Sequence, residues 1–239
     1  MLVLPPVAIL AGGLATRLRP ITEKIPKSLV SVNGRPFIAH QLELLRRRGV
    51  RKVVMCVGFL GDQIVDYVGN GDRFEIEVQY SFEGTQLLGT GGAIKRALPL
   101  LAPQFFVLYG DSYLQCDYQA VFNSFCDSGR MALMTVFRNE NLWDTSNVEF
   151  SNGRVLAYSK RQRTTNMCYI DFGLGVFSHE VFENVPVNTA VDLAIIYEDL
   201  LTKNQLAGYE VGERFYEMGS RYGLEELSTF LAQQGNAGD

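Results

Sequence analysis

The chain has 239 residues, 47% hydrophobic and 20% charged, with a net charge of −4. A chain of this size can bury a full core without disulfides or structural metals. Its acidic balance, with Arg46-Arg47-Arg48 as the only basic run, gives no sign of a polyanion-binding surface, so no nucleic acid partner is expected. That run reads as a solvated helix end before Gly49.

Residues 7–11 read as a first strand that enters a Gly-rich loop. Pro36 opens a helix carrying Phe37, Ile38, Leu42, Leu44 and Leu45, which stops at Gly49. Residues 52–58 form a second strand, 62–68 a short helix, and 75–81 a third, alternating strand. A helix follows at 91–98, closed by Pro99, and the apolar run 105–109 is a fourth strand that ends at Gly110-Asp111. Beyond this point, 131–138, 147–151 and 155–159 read as strands, the last two joined by an Asn152-Gly153 hairpin turn. A long strand at 168–177 contains Gly173 and Gly175; then come an amphipathic helix at 191–202, a short strand at 208–211 and a closing helix at 223–233. The early alternation of strand and helix predicts an α/β protein with a Rossmann-like mixed, mainly parallel sheet flanked by helices. Residues 1–239 read as a single domain, with a nucleotide-binding half (1–130) and a second half (131–239) that completes the site.

The four cysteines, Cys56, Cys116, Cys126 and Cys168, have no metal-ligand spacing and read as buried free thiols in a reducing compartment. The apolar start, residues 2–15, lacks a basic leader, is broken by Pro5-Pro6 and is too short to span a bilayer. A cytoplasmic location without a membrane partner is expected.

Ligands of open α/β sheets bind beyond the carboxyl ends of the strands. There the chain places Ala11-Gly12-Gly13, whose backbone can approach phosphates closely, and Arg17, whose guanidinium can fork onto phosphate oxygens. The loop matches neither GxxxxGK[ST] nor GxGxxG, which weighs against P-loop kinases and dinucleotide oxidoreductases. Pro26 disfavours helix at Ile25 and holds the chain extended, so that Lys27 can point at one spot. Asp111 closes an apolar strand, where a carboxylate is costly unless it has a partner.

These segments, GGLATRLRP and IPKSLV, with LGTGGA at 88–93, Gly110-Asp111, Tyr158-Ser159-Lys160 and residues 215–224, resemble the sugar-1-phosphate nucleotidyltransferase family. The likeness covers nearly the whole chain and is nearest the small heptose 1-phosphate guanylyltransferases and N-acetylmuramate 1-phosphate uridylyltransferases. It implies the nucleotide-diphospho-sugar transferase fold, Mg²⁺ as cofactor, and a nucleoside triphosphate and a sugar 1-phosphate as partners. A homo-oligomer stays open. The resemblance makes Arg17, Lys27, Asp111 and Lys160 catalytic, and Ala11, Gly12, Gly13, Glu83, Gly89 and Thr90 nucleotide-binding. It also assigns Gly110, Asn147 and Asp171 to the sugar. Asp111 is the first metal ligand. Where relatives carry an aspartate as second ligand this chain has Glu217, which binds directly, binds through water, or is a structural acid at a strand end. The acid that precedes the family's lysine is here Ser159, and Asp171 stands where relatives often have Asn.

A carboxylate at Glu83 matches an N–H on the edge of guanine, uracil or thymine, and guanine's adjacent N1–H and amino group suit a bidentate acid, which favours GTP over UTP or dTTP. The resemblance favours a heptose or hexose 1-phosphate, with Trp143, Asp144, Asn147 and Tyr169 in segments that could line its pocket. A non-catalytic nucleotide or sugar-phosphate sensor is the alternative of a different class, with Ser159 and Glu217 as its best support.

Overall fold

The computed structural model describes residues 3–84 and 86–235. β1 (Val7–Ala11) has no polar face, and it is paired on both sides. After the first loop, β2 (Ser31–Val32) and β3 (Arg35–Pro36) form a small hairpin. α1 (Phe37–Arg47) starts behind Pro36 as expected and ends before Gly49, which takes φ 92°. The three arginines at its end are tied down: Arg46 pairs with Glu75, Arg47 reaches the Tyr113 hydroxyl, and Arg48 donates to the Gln115 carbonyl. β4 (Lys52–Val57), α2 (Gly61–Val68), β5 (Glu77–Phe82), α3 (Gly89–Ala97) and β6 (Gln104–Tyr109) complete the first half. These strands run parallel in the order β5-β4-β1-β6.

The chain continues through β7 (Ser112–Tyr113), α4 (Tyr118–Ser128), β8 (Ala132–Arg138), β9 (Val148–Ser151) and β10 (Arg154–Tyr158). It ends with β11 (Tyr169–Ser178), α5 (Leu193–Thr202), β12 (Leu206–Val211), β13 (Tyr216–Glu217) and α6 (Arg221–Gly235). β11 runs antiparallel to β6 on one side and to β8 on the other, and β12 lies parallel to β8, which makes one nine-stranded mixed sheet. The β9–β10 hairpin turns at Asn152 and Gly153, both at positive φ as a two-residue hairpin turn requires, and joins β11 at Tyr169.

Alternate residues of β1 face opposite layers. Val7 and Ile9 pack with Leu42 and Leu45 of α1, Ile64 of α2 and Phe122 of α4; Ala8 packs with Ile94 of α3 and Tyr197 and Leu200 of α5. α6 lies over the β2–β3 side, with Leu227 buried against Leu18, Val32 and Phe37.

Most expected elements are present with ends shifted by one or two residues. Glu75 adopts φ 53° and lies outside β5. α3 begins at Gly89, two residues early, and α5 begins at Leu193 because Asp192 is its N-cap. α4 was not anticipated, although Asp117 caps it by accepting from Gln119 and Ala120, and Gly129 ends it at φ 59°. Cys56 and Cys116 are buried free thiols, whereas Cys126 and Cys168 are exposed, contrary to expectation. Among the described residues no helix is long and apolar enough to cross a membrane.

Candidate active site

The carboxyl ends of β1, β5 and β6 open onto a cleft of about 280 Å³. Leu10 to Gly13, Ala15, Lys27, Glu83, Leu87, Gly89, Thr90, Ala93, Tyr109, Gly110 and Asp111 line it. Gly12 is buried, and a Cβ there would stand 2.0 Å from Glu83 Oε1; at Gly13 it would meet nothing within 4 Å. Thus Gly12 is required by Glu83, and Gly13 leaves the loop open to a ligand.

At one end of the cleft the cations and acids converge. Lys27 begins a 3-10 turn behind the extended Pro26, and its Nζ lies 2.5 Å from Asp111 Oδ2. β13 pairs antiparallel with β7, setting Glu217 opposite Ser112, and Met218 N–H donates to the Asp111 carbonyl at 2.9 Å. The segment after Glu217 therefore crosses directly over Lys27. A Cβ built on Gly219 would lie 2.4 Å from Glu217 Oε2, 2.8 Å from Arg17 Nη2 and 3.0 Å from Lys27 Nζ. Arg17, Lys27, Asp111 and Glu217, drawn from four separate segments, share one cluster.

Glu217 is engaged within the protein. Its Oε2 accepts the Gly219 N–H and its Oε1 accepts the Ser220 hydroxyl at 2.9 Å, while Ser220 Oγ caps α6 by accepting from Gly223 N–H at 3.0 Å. Among the described residues no three His, Cys, Asp or Glu side chains group into a metal site. The two carboxylates nevertheless fit a Mg²⁺ that completes its shell with phosphate oxygens, since such ions are held by one or two carboxylates plus substrate. Asp111 is engaged as well, its Oδ2 with Lys27 and its Oδ1 with the Ser112 hydroxyl at 3.5 Å.

Glu83 departs from the expected bidentate base reader. Its Oε2 accepts the Leu88 N–H at 2.8 Å, its Oε1 is turned toward Gly12, and the residue is 7% exposed. Burial pushes its carboxyl above the usual range, against the pull of the Leu88 N–H and Arg96. One oxygen holds the loop, so two parallel acceptor contacts to guanine are not available. Gly89 and Thr90 do line the cleft, but the Gly91 and Gly92 N–H groups at the start of α3 donate to the Val191 carbonyl. The LGTGGA segment thus serves as a packing seam with the residues that precede α5.

On the far side, Lys160 Nζ lies 3.6 Å from Asp192 Oδ1 and 5.9 Å from the centroid of the Tyr109 ring. Asp171 sits on β11, where the pairing to β8 is irregular; its Oδ1 accepts Gly173 N–H at 3.0 Å. Burial raises its carboxyl, opposed by the Gly173 N–H and by Lys160. None of Lys160, Asp171 and Asn147 stands among the cleft-lining residues; Asn147 Oδ1 accepts the Asp171 N–H at 2.9 Å, which stitches β11. Trp143 is likewise placed elsewhere, 3.4 Å beneath the Arg214 guanidinium, and Tyr169 packs on Phe150. The Asp144 carbonyl accepts from Asn139 within its own loop. Tyr109 and Asp192 were missed; the signal for Asp192 was an Asp just before the apolar run LAIIY.

The family model for nucleotidyl transferases matches residues 7–205. The chain belongs to the nucleotidyl transferase family. It is 29% identical over 220 residues to the N-acetylmuramate alpha-1-phosphate uridylyltransferase of Neisseria meningitidis serogroup B, covering 91% of this chain and 94% of that one. To the D-glycero-alpha-D-manno-heptose 1-phosphate guanylyltransferase of Campylobacter jejuni it is 37% identical over 109 residues, 46% of this chain and 48% of the relative. The crystal structure of HddC from Yersinia pseudotuberculosis complexed with GMP-PN shares the fold of this nucleotidyl transferase, with TM-score 0.81 and 24% identity over 95% of this chain and 100% of that one. The expected fold and the expected family are thus both met.

Proposed function

We propose that this nucleotidyl transferase joins a heptose or hexose 1-phosphate to GTP, giving a nucleotide sugar and pyrophosphate. The observation that carries the proposal is the convergence of Arg17, Lys27, Asp111 and Glu217 on one end of the cleft. Two anions must meet there, and the two cations offset their repulsion. A phosphate oxygen of the sugar 1-phosphate attacks the α-phosphorus in line; the bond from that phosphorus to the β-phosphate oxygen breaks, and pyrophosphate leaves. The nucleophile is already an anion, so no general base is needed, and catalysis rests on positioning and charge neutralisation.

Arg17 holds the β- and γ-phosphates, Lys27 the α-phosphate, and Lys160 the sugar phosphate. The first half of the chain (1–130) binds nucleotide and the second (131–239) binds sugar phosphate. Asp111 and Glu217 are the residues that would hold Mg²⁺, and the ion would supply charge neutralisation on the phosphates. The mouth of the cleft near Lys160 takes the sugar, with Asp171 and Gly110 beside it.

GTP is the first choice because the heptose relative is a guanylyltransferase and is 37% identical over the stretch it shares. The single oxygen that Glu83 turns to Gly12 can accept one N–H, a demand that guanine, uracil and thymine all meet. UTP is the competing nucleotide, as the name of the Neisseria relative indicates. Pyrophosphate release from GTP, UTP, dTTP and ATP, each with heptose, mannose, glucose and N-acetylmuramate 1-phosphates and Mg²⁺, tests the proposal. Turnover with GTP and a heptose or mannose phosphate is the expected outcome. Binding without turnover across the panel would establish a sensor instead.

A further inference from the structure

Lys160 stands on an irregular segment after β10, its Nζ 5.9 Å from the ring centroid of the cleft-lining Tyr109 and its side chain 41% exposed. A lysine stem in such a place has four free torsions and strong hydration, so left alone it samples many positions. Its neighbour is unusually constrained. Asp192 is the N-cap of α5 and accepts the Ala194 N–H at 2.9 Å and the Thr90 hydroxyl at 3.2 Å through the same Oδ1 that faces Lys160. Thr90 in turn accepts the Leu193 N–H at 2.7 Å. Val191 N–H donates to Leu88, and the Val191 carbonyl accepts from both Gly91 and Gly92. The residues just before α5 are therefore stitched to the first turn of α3, and Lys160 is attached to that seam through one carboxylate.

The charge of Asp192 suits this task. Partial burial works against ionisation, but the Ala194 N–H, Lys160 and the Thr90 hydroxyl together hold the carboxyl below its ordinary range. Its negative charge is directed at the amino end of α5, whose partial positive charge offsets it, so its repulsion of an incoming phosphate is small.

We infer that Asp192 is a positioning residue: it holds the Lys160 ammonium over the sugar-phosphate end of the cleft and ties that lysine, through Thr90, to the loop that borders the nucleotide. The inference rests on the proposed transferase reaction and names a part of it that the motifs do not contain. Asp192 touches no reacting atom; it preorganises one that does. Because Asp192 is linked to Lys160 on one side and to α3 on the other, the sugar-phosphate contact is built onto the wall of the nucleotide site.

Asp192→Asn tests this. Asparagine caps a helix as well as aspartate does, so α5 keeps its first turn and the protein its melting temperature. The KM for the sugar 1-phosphate that the panel selects should rise about fivefold, the scale of a partly exposed ion pair, while the KM for the nucleotide and kcat stay near wild type. In a Lys160→Gln background the same substitution should add nothing, because the group that it positions is gone. An unchanged or lowered sugar-phosphate KM in Asp192→Asn would overturn the inference, and so would an equal rise with and without Lys160. Wild-type protein that releases no pyrophosphate with any pair in the panel would instead overturn the transferase reading, and the inference with it.

Discussion

Lys27 and Asp111, 84 residues apart in the chain, meet at 2.5 Å between Nζ and Oδ2 at the carboxyl end of the parallel strands. Each holds the other in a partly buried place, and each is also the charge that the proposed chemistry needs. Removing Lys27 therefore costs a phosphate contact and removing Asp111 a metal ligand of the proposed reaction, and either change leaves a charge without its partner.

Lys27→Ala should lower kcat/KM by a factor of about a hundred or more, the roughly 3 kcal/mol typical of a lost donor to developing transition-state charge. Pyrophosphate release under single-turnover conditions is the measurement. Near-normal release would remove Lys27 from the α-phosphate.

Glu217 has a structural duty that can be separated from metal binding. Its oxygens accept from Gly219 and Ser220 at the entrance to α6. In Glu217→Ala the melting temperature should drop even with chelator present, by an amount equivalent to about 1 kcal/mol, as for a lost helix cap. A melting temperature equal to wild type without metal, paired with lost activity in Mg²⁺, would make Glu217 a metal ligand and nothing more.

Glu83 supplies a pH signature. Burial raises its folded carboxyl above the unfolded value, so the folded protein binds the more protons as pH rises past the ordinary carboxylate range. Its contribution is most favourable below that range and is lost as pH climbs through the raised folded value. Glu83→Gln keeps an oxygen for the Leu88 N–H but cannot ionise. The melting temperature of Glu83→Gln relative to wild type should therefore increase from pH 4 toward neutrality. A flat difference across that range would mean that Glu83 is not held in the low-polarity setting described.

Gly12 and Gly13 are adjacent but not equivalent. An alanine methyl at 12 would press on the Glu83 carboxylate and the Gly58 backbone, whereas at 13 it meets open space. Gly12→Ala should destabilise by about 1–3 kcal/mol through overpacking. Gly13→Ala should shift stability by less than about 0.5 kcal/mol. Chemical denaturation of both variants reads the contrast; equal effects would contradict it.

The chain itself determined what depends on near neighbours. Val7 to Ala11 and Phe105 to Tyr109 are apolar enough to be nothing but central strands, Asn152-Gly153 turns a hairpin, and the loops after those strands carry Arg17 and Asp111 to the edge where ligands bind. Backbone preference and burial periodicity act over a few residues, so they can be read in order along the chain. α4 is marked in the same local way, by Asp117 at its start and Gly129 at its end.

Tertiary structure alone decided which distant groups meet. The two-residue strands β7 and β13 have no periodicity to announce them, yet their pairing brings Glu217 to Asp111. The partners of Glu83 oxygens, and the link from Lys160 through Asp192 to Thr90, follow from how α3 and α5 pack against one sheet face. Such contacts join segments whose separation along the chain leaves no local trace, because the free energy that holds them comes from burial and charge pairing formed only once the sheet has closed around them.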